Sequence, residues 1–263
     1  MLRGGGLALA SLVGAVAAEP LPRADVLVLG EVHDNAAHHA WQAAAVAEVA
    51  PAALVFEMLL PEQAAEVTPE LVGDPVALEA ALGWEARGWP DFAMYHPIFA
   101  AAPEAAVVGG DLPRDAVRRA LGEGAAAVFD ALFPGEAARF GLGEPLPGAE
   151  QAEREAGQAR AHCDALPEAM LPGMVEAQRL RDAALARAAA EAYALTGGPV
   201  VVITGTGHAR TDWGMPAALA RAAPALTVYS VGQFEADPGA GAPFDRVRVT
   251  GAVERPDPCD AFR

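Results

Sequence analysis

Val26-Leu27-Val28-Leu29-Gly30-Glu31-Val32-His33 joins a short apolar run to a histidine, and a second stretch of the chain repeats the arrangement. There Val200-Val201-Val202-Ile203 runs into Gly205-Thr206-Gly207-His208. Short apolar runs of this kind, rich in β-branched residues and followed by glycine, are typical of fully buried strands in a parallel sheet. Ligands of open α/β sheets bind outside the carboxyl ends of the strands. We therefore predict that His33 and His208 face one crevice.

Two glutamates accompany these histidines at predicted strand ends. Glu31 lies inside the first Gly-x-x-His motif, and a third apolar run, Ala53-Leu54-Val55-Phe56, ends on Glu57. A single histidine or glutamate at such a place has an ordinary reading as a hydrogen-bonded or helix-capping residue. Glu57, however, lies between Phe56 and Met58, where burying a carboxylate without a partner is costly. The four polar residues together therefore predict a functional site.

The rest of the chain alternates strand-like and helix-like segments. A helix is predicted from Ala36 to Ala50, after the capping candidates Asp34 and Asn35, so residues 24–57 form a βαβ unit. Other predicted elements are strands at Val107-Val108-Gly109, Thr227 to Val231 and Arg246 to Val249, and a long helix from Met174 to Leu195. Residues 122–172 contain no convincing strand and predict a mostly helical insertion. The pattern indicates a single α/β domain over residues 19–263.

Composition argues against some classes of partner. The chain has 263 residues and a formal net charge of −17, and its 18 strongly basic residues are all arginine. An acidic protein of this kind is repelled by phosphate backbones and by anionic membrane surfaces. Nucleic acid is therefore not expected as a main ligand.

The first residues have the three zones of a secretory signal. Arg3 is followed by an uncharged stretch from Gly4 to Val16 and then by Ala17-Ala18-Glu19-Pro20. The apolar stretch is too short for a stable membrane span. We expect residues 1–18 to be a signal peptide. Because no cysteine stands there to carry a lipid, we expect a soluble periplasmic or secreted protein.

The chain contains only two cysteines, Cys163 and Cys259. An even number of cysteines in an oxidising compartment predicts one disulfide. Metal ligation is the weaker reading, because there is no Cys-x-x-Cys pair.

Tyr95 is a further candidate for the site. It falls in a segment dense in aromatic residues, with Trp84, Trp89 and Phe92 close by. Its ordinary reading is a member of an aromatic core, and its functional reading is a phenolate ligand to ferric haem.

A polar group on the predicted long helix is the last candidate. Gln178, Arg181 and Asp182 lie at the three- and four-residue spacing of one helix face. This face is either solvated or buried beside the site, and its alanine- and leucine-rich surroundings favour burial.

Taken together, these motifs resemble the haem-binding uptake proteins of the ChaN type. That family belongs to the wider Tiki/TraB group, which is similar to the erythromycin-esterase fold. The resemblance spans roughly residues 24–235. It rests on the stretches Gly30-Glu31-Val32-His33-Asp34-Asn35, His38-His39 with Gln42, Phe56-Glu57-Met58, Tyr95-His96-Pro97, Leu112-Pro113-Arg114, Gln178 with Arg181-Asp182, and Gly205-Thr206-Gly207-His208.

The resemblance implies a three-layer α/β fold with a parallel-sheet core and a helical insertion. It also implies haem bound across a homodimer interface, a role in bacterial haem or iron uptake, and a haem-uptake receptor as a partner. Family members are often lipoproteins, and the missing lipid-attachment cysteine departs from that pattern. The implied haem-binding residues are Tyr95, as the axial ligand, with His33, His208, Glu57, Gln178 and Arg181.

Some relatives in the wider group are described as metal-dependent peptidases, which gives an alternative reading of the same residues. His33, His208 and one glutamate, Glu31, would then hold a divalent metal ion, and the second glutamate, Glu57, would act as a general base in catalysis. We favour haem binding without chemistry, because the aromatic segment around Tyr95 suits the apolar wall of a haem pocket.

Overall fold

The computed structural model of the protein describes residues 20–257 and 259–260, so the predicted signal peptide lies outside the described residues. The described chain forms one sheet of six parallel strands with helices on both faces. The strands are β1 (Val26–Glu31), β2 (Ala53–Phe56), β3 (Ala106–Gly109), β4 (Val200–Gly205), β5 (Val228–Phe234) and β6 (Arg246–Val249). The helices are α1 (Ala36–Val49), α2 (Pro61–Ala64), α3 (Pro69–Val72), α4 (Pro75–Leu82), α5 (Trp84–Arg87), α6 (Phe92–Ala100), α7 (Arg114–Glu123), α8 (Ala125–Leu132), α9 (Gly148–Ala161), α10 (Leu171–Thr196) and α11 (Met215–Ala222).

β1 occupies the middle of the sheet, in the strand order β3-β2-β4-β1-β5-β6. It pairs with β4 on one side and β5 on the other, and every residue of β1 and β4 is buried. The register places Leu29 and Phe56 on either side of Ile203. Because the strands run in parallel, the residues that follow these three positions emerge together at one edge of the sheet.

Alternate residues of the strands face two separate helical layers. Leu27 and Leu29 pack with the apolar residues of α1 to α6, whereas Val26 and Val28 pack with α7, α8, α10 and α11. Burying one such side chain contributes roughly 1.5–3 kcal/mol before entropy is counted, which pins each strand to its register. The predicted three-layer α/β fold with a parallel sheet is confirmed.

The predicted elements are present with small changes of boundary. The βαβ unit is β1-α1-β2, and the Asn35 side chain accepts a hydrogen bond from the Ala37 amide at the start of α1. The aromatic segment is broken into α2 to α6, because Pro61, Pro69 and Pro75 each stand at the first position of a new helix.

Residues 122–172 contain α8, α9 and two short 3₁₀ turns, Ala137–Phe140 and Glu168–Met170. The predicted disulfide is present: Cys163, just after α9, is bonded to Cys259 in the C-terminal tail. In the part of the chain described here, no helix combines the length and apolar character that a membrane span requires.

Candidate functional site

The crevice at the carboxyl edge of the sheet brings the predicted polar residues together. Glu31 ends β1, Glu57 follows β2, and His208 follows β4 by three residues. His33 lies in the turn between β1 and α1, with its Nε2 atom 3.9 Å from Glu57 Oε1. The shared edge of a parallel sheet explains the convergence, since these residues are far apart in sequence but follow neighbouring strands.

Glu31 is the most enclosed member of this group, with a fully buried side chain. Its Oε1 atom accepts hydrogen bonds from the Tyr95 hydroxyl at 2.6 Å and from His33 Nδ1 at 2.8 Å. The Nδ1 atom of His39 lies 3.3 Å from Glu31 Oε2. Burial raises the pKa of Glu31, but the hydrogen bonds and charges of His33 and His39 outweigh it and leave the pKa below its usual value. Glu31 is therefore held as a carboxylate.

Glu57 is the centre of a second network. Its Oε1 atom accepts from Arg181 Nη2 at 2.6 Å, and its Oε2 atom accepts from the Thr204 hydroxyl and the Gly205 amide, both at 2.6 Å. His208 Nε2 lies 3.4 Å from Oε1. Burial raises the pKa of Glu57, but the charges of His208, Arg181 and His33 and the Thr204 hydrogen bond lower it far below its ordinary value. Both carboxylate oxygens already have partners.

His208 connects Glu57 to the long helix α10. Its Nδ1 atom donates to Asp182 Oδ1 at 2.7 Å, and Gln178 Nε2 lies 3.0 Å from the same nitrogen. Asp182 is buried, and burial raises its pKa more than His208 lowers it. The polar face of α10 thus packs against the strand ends and places Gln178 and Arg181 where the resemblance implies. Whether these residues bind a ligand stays a prediction.

Tyr95 lies with the polar residues at the strand ends. Helix α6 packs against α1 and brings the Tyr95 hydroxyl into the Glu31 network. Tyr95 is completely buried. Burial raises the pKa of its phenol, and the charge and hydrogen bond of Glu31 raise it further. Forming a phenolate here would place two anions side by side, so Tyr95 stands as a neutral hydrogen-bond donor.

His33 is the member of the cluster that reaches the open crevice. Its side chain is 34 % exposed, and its ring makes an edge contact with the Trp89 indole at a centroid distance of 5.1 Å. A cavity of about 620 Å³ opens on His33 and is bounded by α9 and α10 together with Gly207 and Trp213. This volume is within the ordinary range for small-molecule and cofactor sites.

Sequence reasoning missed two contributors to the cluster. His39 is buried on α1 beside Glu31, and Thr204 at the end of β4 binds Glu57. His39 belongs to one of the motifs that carry the family resemblance, and that motif could have identified it. Thr204 follows an apolar run, and no sequence pattern marks it as part of the site. Asp182 was placed on the correct helix face, but its pairing with His208 depends on how α10 crosses the sheet.

The alternative metal site is not supported by the arrangement of the donors. In residues 20–257 and 259–260, no group of three or more His, Cys, Asp or Glu side chains is set to hold a metal ion. Arg181 lies against Glu57, and a guanidinium is a competitor of a divalent cation for the same carboxylate. Each buried carboxylate of the cluster has at least one protein donor, while Glu31 Oε2 and Asp182 Oδ2 have no hydrogen-bond partner in the described part of the chain.

Comparison with known proteins gives one family and several similar folds. Residues 17–219 match the model of a family described as "Haem-binding uptake, Tiki superfamily, ChaN". No curated protein sequence matches the chain.

Several solved structures are similar to this fold. The first is described as "Cofacial heme binding to ChaN of Campylobacter jejuni"; it is 16 % identical over 85 % of this chain and 86 % of that chain, with a TM-score of 0.64. The type III effector HopBA1 is 12 % identical over 82 % and 79 % of the two chains, with a TM-score of 0.43. A Bacillus cereus protein is 15 % identical over 89 % and 72 %, with a TM-score of 0.36. The first of these supports the fold.

Proposed function

We propose that this chain, which belongs to the family of haem-binding uptake proteins of the ChaN type in the Tiki superfamily, binds haem in the crevice beside His33. The observation that carries the proposal is the cavity of about 620 Å³ that opens on the partly exposed imidazole of His33. Haem needs an apolar wall and an axial donor; Trp213 lines this crevice, and Trp89 contacts the ring of His33. Haem would bring the chemistry of its iron, while the protein supplies the donor and excludes water.

The cluster determines which nitrogen of His33 is free. The Nδ1 atom donates to Glu31, so the neutral ring keeps its lone pair on Nε2. A histidine ligand is commonly oriented through its other nitrogen in this way, and the carboxylate makes the ring a better donor. Tyr95, which the resemblance implies as the axial ligand, is bonded to the same Glu31 oxygen from the buried side. We infer that His33 faces the iron and that Tyr95 holds Glu31 in place.

A titration of purified protein with ferric haem tests both parts of this proposal. We expect a saturable Soret shift with about one haem per chain. His33→Ala should abolish or displace the Soret band, whereas Tyr95→Phe should keep the band position and weaken binding by less than tenfold, or about 1.4 kcal/mol. Trp84→Phe, in the aromatic core beside Tyr95, is a matched control for packing.

Two results would change the assignment. Loss of a charge-transfer band in Tyr95→Phe, with His33→Ala unaffected, would return the ligand role to Tyr95. Metal analysis of the same sample decides the remaining alternative: stoichiometric zinc or manganese without haem uptake would favour the hydrolase, with His33, His208 and Glu31 as metal ligands.

We also propose a periplasmic location and a role in haem or iron uptake, with haem held between two copies of the chain. The disulfide supports an oxidising compartment, because cytosolic proteins rarely keep such bonds. The Campylobacter jejuni relative is described as binding haem cofacially, which supports an arrangement of paired haems. A receptor that hands haem to this protein is the partner expected of an uptake function.

A further inference from the structure

We propose that a groove beside the crevice, here called the arginine groove, binds the two propionate carboxylates of haem. This proposal rests on the proposed function and extends it to residues outside the strand-end cluster. The groove has a volume of about 420 Å³ and is lined by Arg87, Arg114, Arg118, Arg181, Trp89 and Leu112, among others. Asp111 is its one acidic residue in the described chain. A concentration of four arginines is unusual in a protein with a net charge of −17.

Two of the four arginines have no carboxylate partner. Arg181 is paired with Glu57, and Arg87 is paired with Asp111. Arg114 donates to the backbone carbonyl of Arg87, and Arg118 has no ion-pair partner within residues 20–257 and 259–260. Two guanidinium groups are therefore available for two carboxylates. Arginine suits this role because its planar fork binds a carboxylate through two parallel hydrogen bonds.

The face of α7 that lines the groove combines these charges with apolar surface. Arg114, Val117, Arg118 and Leu121 follow the three- and four-residue spacing of one helix face, and all four line the groove. The neighbouring residue Arg119 points elsewhere and pairs with Glu123. This helix face carries two unpaired guanidinium groups next to aliphatic side chains. It therefore matches the edge of haem, where two carboxylates end short hydrocarbon chains.

Trp89, which also lines the groove, adds to this match. Its indole Nε1 is buried and has no hydrogen-bond partner. A buried donor left without a partner costs free energy, and a ligand oxygen would remove that cost. The same indole lines the arginine groove and contacts the ring of His33, which lines the crevice.

Residues of α10 line both cavities. Gln178 lines the crevice and Arg181 lines the groove, and these residues are one helical turn apart. Haem is a planar apolar ring with both carboxylates on one edge. A ring lying beside His33 can therefore direct that edge past Trp89 and Arg181 towards Arg114 and Arg118.

The crevice itself offers fewer free cations. Arg154 is paired with Glu150, and Arg210 is paired with Asp212. Arg160 is the one arginine lining the crevice without an ion-pair partner in the described residues. The arginine groove, with two unpaired guanidinium groups and an unpaired indole donor, is the better carboxylate site.

The test compares haem with its dimethyl ester in the double variant Arg114→Gln/Arg118→Gln. We expect haem affinity to fall roughly tenfold or more, equivalent to about 1.4 kcal/mol. The dimethyl ester, which lacks both charges, should bind wild type and double variant equally. Wild-type haem affinity should fall as salt rises, and that dependence should be weaker in the double variant. Arg119→Gln is the control on the same helix and should bind haem as wild type does.

The outcomes separate this proposal from the proposed function. If wild type takes up no haem, the proposed function fails and the subsite fails with it. If wild type binds haem but the double variant binds it equally well, the subsite alone is overturned. The same conclusion follows if Arg160→Gln weakens haem binding and the double variant does not, because the carboxylates would then lie in the crevice. Both arginines are exposed on the surface, and thermal unfolding of the double variant checks that the fold is intact.

Discussion

Glu31 shows how one buried carboxylate can connect three separate parts of the chain. It meets Tyr95 from α6, His39 from α1 and His33 from the turn after β1. Removing a carboxylate from water is costly, and protein donors must offset that cost. The Glu31 network therefore fixes the His33 ring at the edge of the crevice before any ligand arrives.

Gly30 explains why the motif around Glu31 needs a glycine. A Cβ atom at this position would lie 2.9 Å from the Cα of Thr206, which is too close for a backbone neighbour. The loop after β4 can approach β1 only because the side chain is absent. This close approach sets Glu31 and the second Gly-x-x-His motif side by side.

The protonation of His33 depends on its neighbouring carboxylates. Burial lowers the pKa of His33, but the hydrogen bond to Glu31 and the charges of Glu57 and Glu31 raise it above its ordinary value of 6.5. The protonated ring therefore stabilises the fold below about pH 6.5, and this contribution is lost as pH rises through the folded-state pKa. Since iron binds the neutral ring, haem affinity should increase over the same rise in pH.

We expect Glu31→Gln to lower the pKa of His33, which an NMR titration of the histidine ring signals measures directly. The pH midpoint of haem affinity should move down with it. Glu123→Gln, an exposed change on α7, serves as the control. An unchanged His33 midpoint in Glu31→Gln would show that Glu31 does not determine the charge of this ring.

At the scale of elements, α9 is the least embedded wall of the crevice. It has no fully buried residue, although its side chains line the cavity that opens on His33. The C-terminal tail holds it from outside through the bond between Cys163 and Cys259. The tail is anchored in turn by Arg255, which pairs with Asp34 and Glu235. The disulfide thus restrains α9, a helix that has no fully buried residue to hold it in the apolar core.

Replacing both cysteines by serine should loosen α9 more than the rest of the molecule. We expect faster hydrogen exchange in α9, near-unchanged exchange in β1 and β4, and a loss of about 2–5 kcal/mol in the free energy of unfolding, as is usual for a native disulfide. Hydrogen-exchange mass spectrometry on the oxidised wild type and the double serine variant measures this. Equal protection of α9 in both proteins would mean that packing on α10 alone is sufficient.

For the whole molecule, the net charge opposes dimer formation, whereas haem shared between two copies, as proposed, would favour it. Two copies with a net charge of −17 each repel one another, and this repulsion weakens as salt rises. The arginine groove differs from the rest of the surface, because its positive charge attracts an anion. This attraction also weakens as salt rises.

Haem should therefore promote dimer formation to an extent that depends on the salt concentration. We expect sedimentation analysis to show a monomer without haem at low salt and a dimer with about one haem per chain at moderate salt. Protoporphyrin IX, which lacks iron, is the matched ligand control. A mass that stays that of the monomer at saturating haem would contradict the shared-haem arrangement.

Much of the fold follows from local patterns. The apolar runs at β1, β2 and β4 are short, β-branched or leucine-rich and closed by polar residues, and each became a buried strand of the sheet. Asn35 ahead of an alanine-rich stretch predicted the start of α1, and the long helix predicted to end at Leu195 ends at Thr196. These signals are readable because they concern residues adjacent along the chain.

Part of the candidate site was also readable, since the carboxyl edge of a parallel sheet gathers the residues that follow its strands. This rule brought His33, His208, Glu31 and Glu57 together as predicted. The rule does not predict where Tyr95 lies, because the path of α6 across α1 determines the depth and direction of that side chain. The arginine groove was also hidden, since its arginines come from segments that pack together only in three dimensions.

The amino-acid order thus fixes the parallel α/β fold, the family and the set of polar residues at the strand ends, because all three depend on short-range patterns. The tertiary structure determines which of those side chains are buried and which are exposed to the crevice. It turns the Tyr95 hydroxyl inward onto Glu31, leaves His33 facing the cavity and pairs Arg181 with Glu57. The physical reason is that burial and pairing depend on what the neighbouring elements place around a side chain, and those neighbours lie far away in the sequence.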